Sequence, residues 1–464
     1  MDPQQVPQRS KFWFGKRTQG AAVAVNLIDY INLIWIFVFA LLSFAIFWPI
    51  ISKIDFEEAF FTPLVPSLVS LFGIFNIDSQ NVIRILFIAS FMVSTVGIYF
   101  LVYDLTKRRI TPILASAAYL VPPMPIFILS YFFPRRYENE LISAKSFFTI
   151  IYGDGANFLA LALLPFAALF FLRFLKWAKE IDLLVAVSTC ALVFLASRSQ
   201  ALNLFLVLSV ILLTDIFLGQ ARVKIKRFLL IILISLGLVS FWYTPGFWQE
   251  TILGFVDQAG ANLRFLFPLP AIIGFLGLFV SFVFFARREN RQPIFLSFLL
   301  FIIFAVLTGD WLVNGRSLLP HSQRLVPNLN MFTAIVLALA LTAIVDSLHI
   351  VKVVAVESWS VAGKVLGAIV FGLVSFILLA IGAFLLSPWV IFLVSGSNGI
   401  WIKIKLEVLA DRQETLALAG QNFELIRQNT DGQLWLGVVI SLVFLAILFY
   451  LILGKEEGEQ VTLR

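Results

Sequence analysis

The sequence predicts an all-α integral membrane protein with about 12 transmembrane helices. Of its 464 residues, 60% are hydrophobic and only 13% are charged, and the mean hydropathy is +0.97. Soluble domains average roughly 45–50% apolar and about 25% charged residues. The apolar residues form repeated blocks of about 20, the length that crosses a hydrocarbon core of ~30 Å as a helix. This composition excludes a water-soluble enzyme and a disordered chain.

The apolar blocks predict helices rather than the strands of a β-barrel. Barrel strands alternate polar and apolar positions over about ten residues, whereas runs such as 33–51 and 365–386 are apolar on nearly every face. The predicted spans, in order, are Ile28–Ser52, Asn81–Tyr103, Thr111–Phe133, Ala156–Leu172, Ile181–Ala196, Ala201–Leu218, Phe228–Tyr243, Pro268–Ala286, Pro293–Leu307, Pro327–Val345, Val365–Leu386 and Leu434–Leu453.

Basic residues are concentrated in the short connections on one side of these spans. That side holds 21 of the 34 Lys and Arg residues, including those of the turns 107–109, 173–179 and 222–227. Since short cytoplasmic loops of membrane proteins are enriched in Lys and Arg, we predict that this side and both termini face the cytoplasm. The predicted location is the cytoplasmic membrane. No nucleic-acid partner is expected, because the cations are spread over seven membrane-flanking segments.

The spans also suggest a division of the chain. Residues 1–27 form a basic cytoplasmic N-terminus, and 28–345 form a transmembrane core of about ten helices. Residues 346–464 contribute C-terminal helices with an outer amphipathic segment at 396–433. Short interfacial helices are expected in the outer loops, above all in 60–77, where prolines and apolar residues alternate.

The first outer loop carries three carboxylates, Asp55, Glu57 and Glu58, directly after the first span. At a membrane edge the low dielectric raises the basicity of a carboxylate. Such a group can accept a proton from a hydroxyl or hold a divalent metal on a phosphate. The alternative interpretation is an acidic collar that keeps this loop outside the membrane.

The second outer loop carries Arg135 and Arg136 and ends with Asp154 between two glycines. The two arginines suit either a bound phosphate or the lipid headgroups. Asp154 immediately precedes the fourth span, so helix capping is its first interpretation. A catalytic or metal-binding role is the alternative.

The fifth outer loop places His321 three residues before Arg324, at the start of the tenth span. Arginine can grip a lipid diphosphate through two hydrogen bonds, and histidine can supply a proton near neutral pH. The alternative is that both side chains reach for the membrane surface and cap the helix.

Six short strings, in order over the first 345 residues, carry a resemblance to a known family. They are Gly97-Ile98-Tyr99, the segment 104–109 (DLTKRR), 115–123 (ASAAYLVPP), 158–165 (FLALALLP), 240–245 (SFWYTP) and 319–324 (LPHSQR). Taken together, the chain resembles the polytopic prokaryotic membrane proteins of the GT-C glycosyltransferase architecture. That group includes the 6-pyruvoyl-tetrahydropterin synthase-related and YfhO-like proteins.

This resemblance implies hexosyl or pentosyl transfer from a polyprenyl-phosphate carrier at the extracytoplasmic face to a glycan, lipid or protein acceptor. It implies that an acid of the first outer loop, here Asp55, lies at the reaction centre. Asp55 and Asp154 are then the candidate ligands for a divalent metal such as Mg or Mn. Two features differ from the family pattern, because Phe56 interrupts the acidic motif and the C-terminal soluble domain is reduced to a short segment.

Two other function classes fit the same composition. One is a transporter or flippase for a lipid-linked or amphipathic solute, and the other is a non-catalytic subunit of an envelope-assembly complex. A coupled transporter usually carries charges along its path, whereas Arg84, Arg198 and Asp215 lie near the ends of predicted spans.

Overall fold

The computed structural model describes residues 19–51, 62–120, 155–219, 221–247, 269–285, 292–314, 325–347 and 431–453, with single positions at 249, 253 and 256. All regular structure within these ranges is helical, which confirms the all-α class for them. The helices are α1 (Gln19–Ile51), α2 (Leu64–Gly73), α3 (Ser79–Thr106), α4 (Ile110–Leu120), α5 (Gly155–Trp177), α6 (Glu180–Ala196), α7 (Arg198–Ile216), α8 (Ala221–Leu238), α9 (Leu269–Phe285), α10 (Gln292–Asn314), α11 (Val326–Ser347) and α12 (Asp431–Leu453).

Four helices among the described residues are long and apolar enough to cross a membrane: Ser79–Thr106, Ala156–Trp177, Arg198–Ile216 and Gly432–Leu453. Length and composition therefore support a membrane protein. Apart from α2, each of the described helices overlaps a predicted span, although α1 begins nine residues and α8 seven residues before its span, and only the first part of the span Thr111–Phe133 is described. The predicted span 365–386, the basic N-terminal residues 1–18 and most of the amphipathic segment 396–433 lie outside the described residues. The total number of crossings stays a prediction.

The predicted interfacial segment 60–77 contains the short helix α2. At its end Leu71, Phe72, Ile74 and Phe75 are exposed, and the chain turns back at Asn76, whose φ is 56°. Asp78 then caps α3, since its carboxylate accepts the Asn81 backbone N–H at 3.3 Å. A short amphipathic helix with exposed apolar residues is typical of a segment at a membrane surface.

The bundle is centred on α3, α5 and α6, which share one apolar core with α1, α4, α7, α8 and α10–α12. Helices α5 and α6 form a hairpin, because only Ala178 and Lys179 separate them. Helix α3 approaches α5 closely at Gly97, where a Cβ atom would lie 2.8 Å from the Phe166 ring. This small residue allows the two helices to pack with little space between their backbones.

Helix α12 docks on the end of α8, far from it in sequence. The Ser441 hydroxyl accepts the Phe241 backbone N–H at 2.9 Å and donates to the Gly237 carbonyl at 3.1 Å. A Cβ at Gly437 would lie only 2.3 Å from the Ser240 carbonyl oxygen, so glycine permits this contact. Much of the remaining surface of α12 is apolar and exposed, as a lipid-facing surface requires.

The basic residues and the buried amides lie at opposite ends of the bundle. Ten of the twelve described Lys and Arg residues lie in 107–109, 173–179 and 222–227. We call this the basic end. At the opposite end α5, α7 and α11 begin, and their first two turns bury the side chains of Asn157, Gln200, Asn203, Asn328 and Asn330. We call this the amide end.

Candidate functional site

The amide end concentrates neutral polar side chains inside an otherwise apolar bundle. Its five amides are each at most 4% exposed. A buried amide without a hydrogen-bond partner costs about 1–3 kcal/mol, so such a cluster has to satisfy its members internally or through a bound group. Its hydrogen bonds therefore indicate what the cluster holds together.

A reciprocal amide pair joins α7 to α11. The Gln200 amide nitrogen donates to the Asn328 oxygen at 3.0 Å, and the Asn328 nitrogen donates to the Gln200 oxygen at 3.1 Å. Asn203, which lies three residues after Gln200 on the same helix face, also donates to the Gln200 oxygen at 3.2 Å. The pair connects residues 128 positions apart in the chain.

A second set of bonds joins α5 to the turn between α6 and α7. Ser197 has an extended backbone (φ −156°) between these helices, and its hydroxyl accepts the Gln200 backbone N–H at 3.4 Å as the cap of α7. The Asn157 side-chain oxygen accepts from the hydroxyls of Ser197 and Ser199 at 2.9 and 3.0 Å. The start of α5 is thereby fixed to the same turn.

The same turn also receives contacts from the segments before α2 and after α8. The Thr62 hydroxyl donates to the Ala196 carbonyl at 2.6 Å, and the Tyr243 hydroxyl donates to the Phe194 carbonyl at 2.8 Å. The Arg198 guanidinium lies 5.1 Å from the centre of the Phe247 ring. Four separate parts of the chain thus meet around the turn between α6 and α7.

Two buried polar atoms near this cluster have no hydrogen-bond partner among the described residues. They are the Asn330 side-chain nitrogen and the Thr308 hydroxyl, and both residues are 2% exposed. Thr308 lies one turn beyond Phe304, whose ring stacks on Phe332 with centroids 5.1 Å apart. Because α10 and α11 run in opposite directions, this register places Thr308 at the level of Asn328.

The buried carboxylates of the basic end, in contrast, contact cations. Asp104 accepts from Lys107 and from two nitrogens of Arg173, the latter at 3.1 and 3.2 Å. One Asp215 oxygen lies 2.9 Å from the Lys224 ammonium, and the other accepts from the Gln292 amide at 2.9 Å. These acids are occupied by structural contacts, so neither is a free base.

All eight predicted site residues lie outside the described residues. They are Asp55, Glu57, Glu58, Arg135, Arg136, Asp154, His321 and Arg324. Their roles stay predictions. The structure describes positions on both sides of them in the chain, and three that follow them, Thr62, Asn157 and Asn328, make the contacts at the amide end given above. Within the described part of the chain, no three His, Cys, Asp or Glu side chains lie close enough together to hold a metal ion.

The predicted site residues are all ionisable, and none of the buried amides is among them. A signal was present, because Gln200 and Asn203 are three residues apart and Asn328 and Asn330 both fall within the first five residues of α11. An apolar helix that carries amides three residues apart buries them on one face when it is packed on that side. No protein-family model, no curated protein and no solved structure matches this chain.

Proposed function

We propose that this chain is an integral-membrane glycosyltransferase that uses a polyprenyl-phosphate-linked sugar at the extracytoplasmic face. The observation that supports the proposal most is the hydrogen-bonded amide end. It joins Thr62, within the first predicted outer loop, to Asn157 and Asn328, which follow the second and fifth predicted outer loops. These loops carry every acidic and basic residue that the sequence assigns to the reaction.

Chain length supports a site beside the amide end. Asp154 precedes Asn157 by three residues, and Arg324 precedes Asn328 by four. At ~3.3–3.6 Å per residue, the Cα atoms of these pairs are at most about 11 and 14 Å apart. Asp55 precedes Thr62 by seven residues, a reach of at most about 25 Å. A lipid-linked sugar at the membrane surface would therefore be within reach of all three loops.

The transfer requires a base beside the acceptor hydroxyl and a cation beside the phosphate that leaves the sugar. The acceptor oxygen attacks the anomeric carbon, its proton goes to the Asp55 carboxylate, and the bond between the sugar and the phosphate oxygen breaks. The negative charge that develops on the polyprenyl phosphate is stabilised by Arg324 and His321. Glu57 or Glu58 assists Asp55, and Arg135, Arg136 and Asp154 complete the substrate-binding set.

The neutral side chains of the amide end suit the sugar itself. A sugar hydroxyl both donates and accepts hydrogen bonds, and so do amide and hydroxyl side chains. The Asn330 nitrogen and the Thr308 hydroxyl are buried without a partner among the described residues. Together with the Trp242 indole N–H, which is also buried without a partner among the described residues, they give this end hydrogen-bonding capacity for a ligand.

The positions of the charges favour a transferase over a coupled transporter. A transporter usually carries ionisable groups along its path through the membrane. In the described part of the chain, Asp104 and Asp215 are ion-paired at the basic end, and Arg84 donates to Asn81 near the start of α3. These three charges thus lie near helix ends.

A transfer assay with matched aspartate variants tests the proposal. The purified protein in liposomes is given polyprenyl-phosphate-linked glucose, mannose and arabinose, each labelled in the sugar, and release of the polyprenyl phosphate is measured. We expect Asp55→Asn to abolish release. Asp78→Asn is the control, since Asp78 lies at the same end and asparagine caps a helix equally well.

Two results would overturn the proposal. One is that the unmodified protein releases none of the three donors' polyprenyl phosphate in the presence of a membrane extract as the acceptor source. The other is equal activity in the Asp55→Asn and Asp78→Asn variants, which would remove Asp55 from the reaction.

A further inference from the structure

We propose that the basic end carries a binding site for the phosphate of an anionic phospholipid, formed by Lys107, Lys176 and Lys179 around the indole of Trp177. This site is at the opposite end of the bundle from the amide end. It does not depend on the proposed transferase activity, because it requires only that the apolar helices lie in a membrane.

The first observation is the arrangement of cations around one exposed indole. The ammonium groups of Lys107 and Lys179 lie 5.8 and 5.9 Å from the centre of the Trp177 ring. The Trp177 side chain is 50% exposed. Tryptophan is enriched where a helix leaves the hydrocarbon, and two ammonium groups beside its ring make that position strongly electropositive.

The second observation is how the fold builds this arrangement. Helix α3 is capped by Lys107 and α5 is followed by Ala178, and both residues have a left-handed backbone with φ of 54° and 52°. Each backbone N–H donates to a carbonyl of the last helical turn, at 2.8 and 3.0 Å. On α5, Trp177 is four residues and Lys176 three residues after Arg173, so Arg173 neighbours both of them on the helix surface. The two helix ends are joined by the contact of Arg173 with Asp104.

The third observation is an excess of positive charge. The segments 104–109 and 173–182 together carry six basic and three acidic residues. Among the three acids, Asp104 already contacts both Lys107 and Arg173, Asp182 is buried, and Glu180 lies in the first turn of α6. Lys176 and Lys179 have no carboxylate within ion-pair distance in the described part of the chain. These like charges repel one another, and a bound anion would relieve the repulsion.

The depth of the site identifies the anion. Candidate membrane-crossing helices end at Thr106 and Trp177, so the residues directly beyond them lie at the level of the lipid headgroups. A phospholipid phosphate is the anion present at that level. An anionic headgroup is favoured over a zwitterionic one, because choline or ethanolamine would bring a further cation to the lysines.

Lipid binding to charge-matched variants tests this inference. The full chain in detergent is titrated with short-chain phosphatidylglycerol, and bound lipid is counted by native mass spectrometry. We expect Lys176→Gln/Lys179→Gln to weaken binding by about tenfold or more. This double variant leaves the ion pair of Lys107 with Asp104 intact, so the fold is not expected to change.

The control is Arg222→Gln/Lys226→Gln, which removes two exposed charges from α8 at the same end. It should bind phosphatidylglycerol within about twofold of the unmodified protein if Trp177 marks a local site. The inference is overturned if both double variants lose affinity equally. It is also overturned if phosphatidylcholine binds as tightly as phosphatidylglycerol, or if millimolar inorganic phosphate displaces the lipid.

Discussion

The two ends of the bundle bury polar groups in different ways. At the basic end the buried carboxylates of Asp104 and Asp215 contact cations. At the amide end the buried polar groups are neutral, and those of Asn157, Gln200, Asn328 and Tyr243 bond to neighbouring side chains or to a backbone carbonyl. A charge is costly to bury unless it is paired, whereas a neutral amide needs only a hydrogen bond.

This difference suits two different tasks. Ion pairs between helix ends fix the bundle and place cations beside the headgroups. Neutral amides hold helix starts together without cancelling the charge of nearby acids and bases in the loops. The neutral amide network suits a site that must bind both a phosphate and a sugar, because the charged groups of the loops remain available for the substrate.

Lys224→Met is the change with the largest expected effect, because it breaks the ion pair at the basic end. It leaves the Asp215 carboxylate buried with only the Gln292 amide as a side-chain partner. Removal of one partner of a buried pair typically costs about 3–5 kcal/mol, and we expect a loss near the lower limit. Thermal unfolding of the protein in detergent measures it.

The double variant Asp215→Asn/Lys224→Met is the matched control, because it removes both charges. We expect it to recover much of the lost stability. If the single and double variants were equally unstable, the loss would come from side-chain packing and the ion pair would contribute little.

Two neighbouring asparagines sharpen the comparison at the amide end. Asn328→Leu removes the reciprocal bonds to Gln200 and should cost about 1–3 kcal/mol of unfolding free energy. Asn330→Leu removes a side-chain nitrogen that has no partner among the described residues. We expect it to leave the stability unchanged or slightly higher and to lower sugar transfer.

Unfolding temperature and transfer activity are measured on both variants. Equal destabilisation by the two substitutions would show that the amide pair has no special role. Full activity of Asn330→Leu would remove this side chain from sugar binding.

Ala178→Gly tests the turn beside Trp177 and has the smallest expected effect. Ala178 adopts a φ of 52°, which costs an L-residue up to about 1 kcal/mol more than glycine. We expect a small increase in unfolding temperature. The increase is reduced because glycine has more conformational entropy than alanine in the unfolded chain. Ala178→Val should lower the unfolding temperature, because a β-branched residue is strained further in this conformation.

Much of the fold could be predicted from the sequence, because hydropathy marks the apolar stretches that form helices. The span predicted at Ile181–Ala196 is the helix Glu180–Ala196, and that predicted at Asn81–Tyr103 is Ser79–Thr106. The grouping of the basic segments 107–109 and 173–179 at one end is confirmed by the contact between Asp104 and Arg173. Their cytoplasmic orientation stays a prediction.

The pairing of side chains could not be predicted in the same way. Hydropathy places Gln200 and Asn328 near helix starts, but it contains no information on which helices are neighbours. A contact across 128 residues depends on the packing of the whole bundle. The predicted acids and bases of the outer loops, such as Asp55 and His321, lie outside the described residues, so the sequence remains the basis for their roles.

The orientation of the two ends can be measured most directly by thiol labelling in intact cells. Single cysteines at Asn76, beside the amide end, and at Arg109, in the basic end, occupy exposed positions, and Cys190 is buried. A membrane-impermeant maleimide should label Asn76→Cys in intact cells and Arg109→Cys only after permeabilisation. Labelling of Arg109→Cys in intact cells, with Asn76→Cys protected until permeabilisation, would contradict an extracytoplasmic amide end.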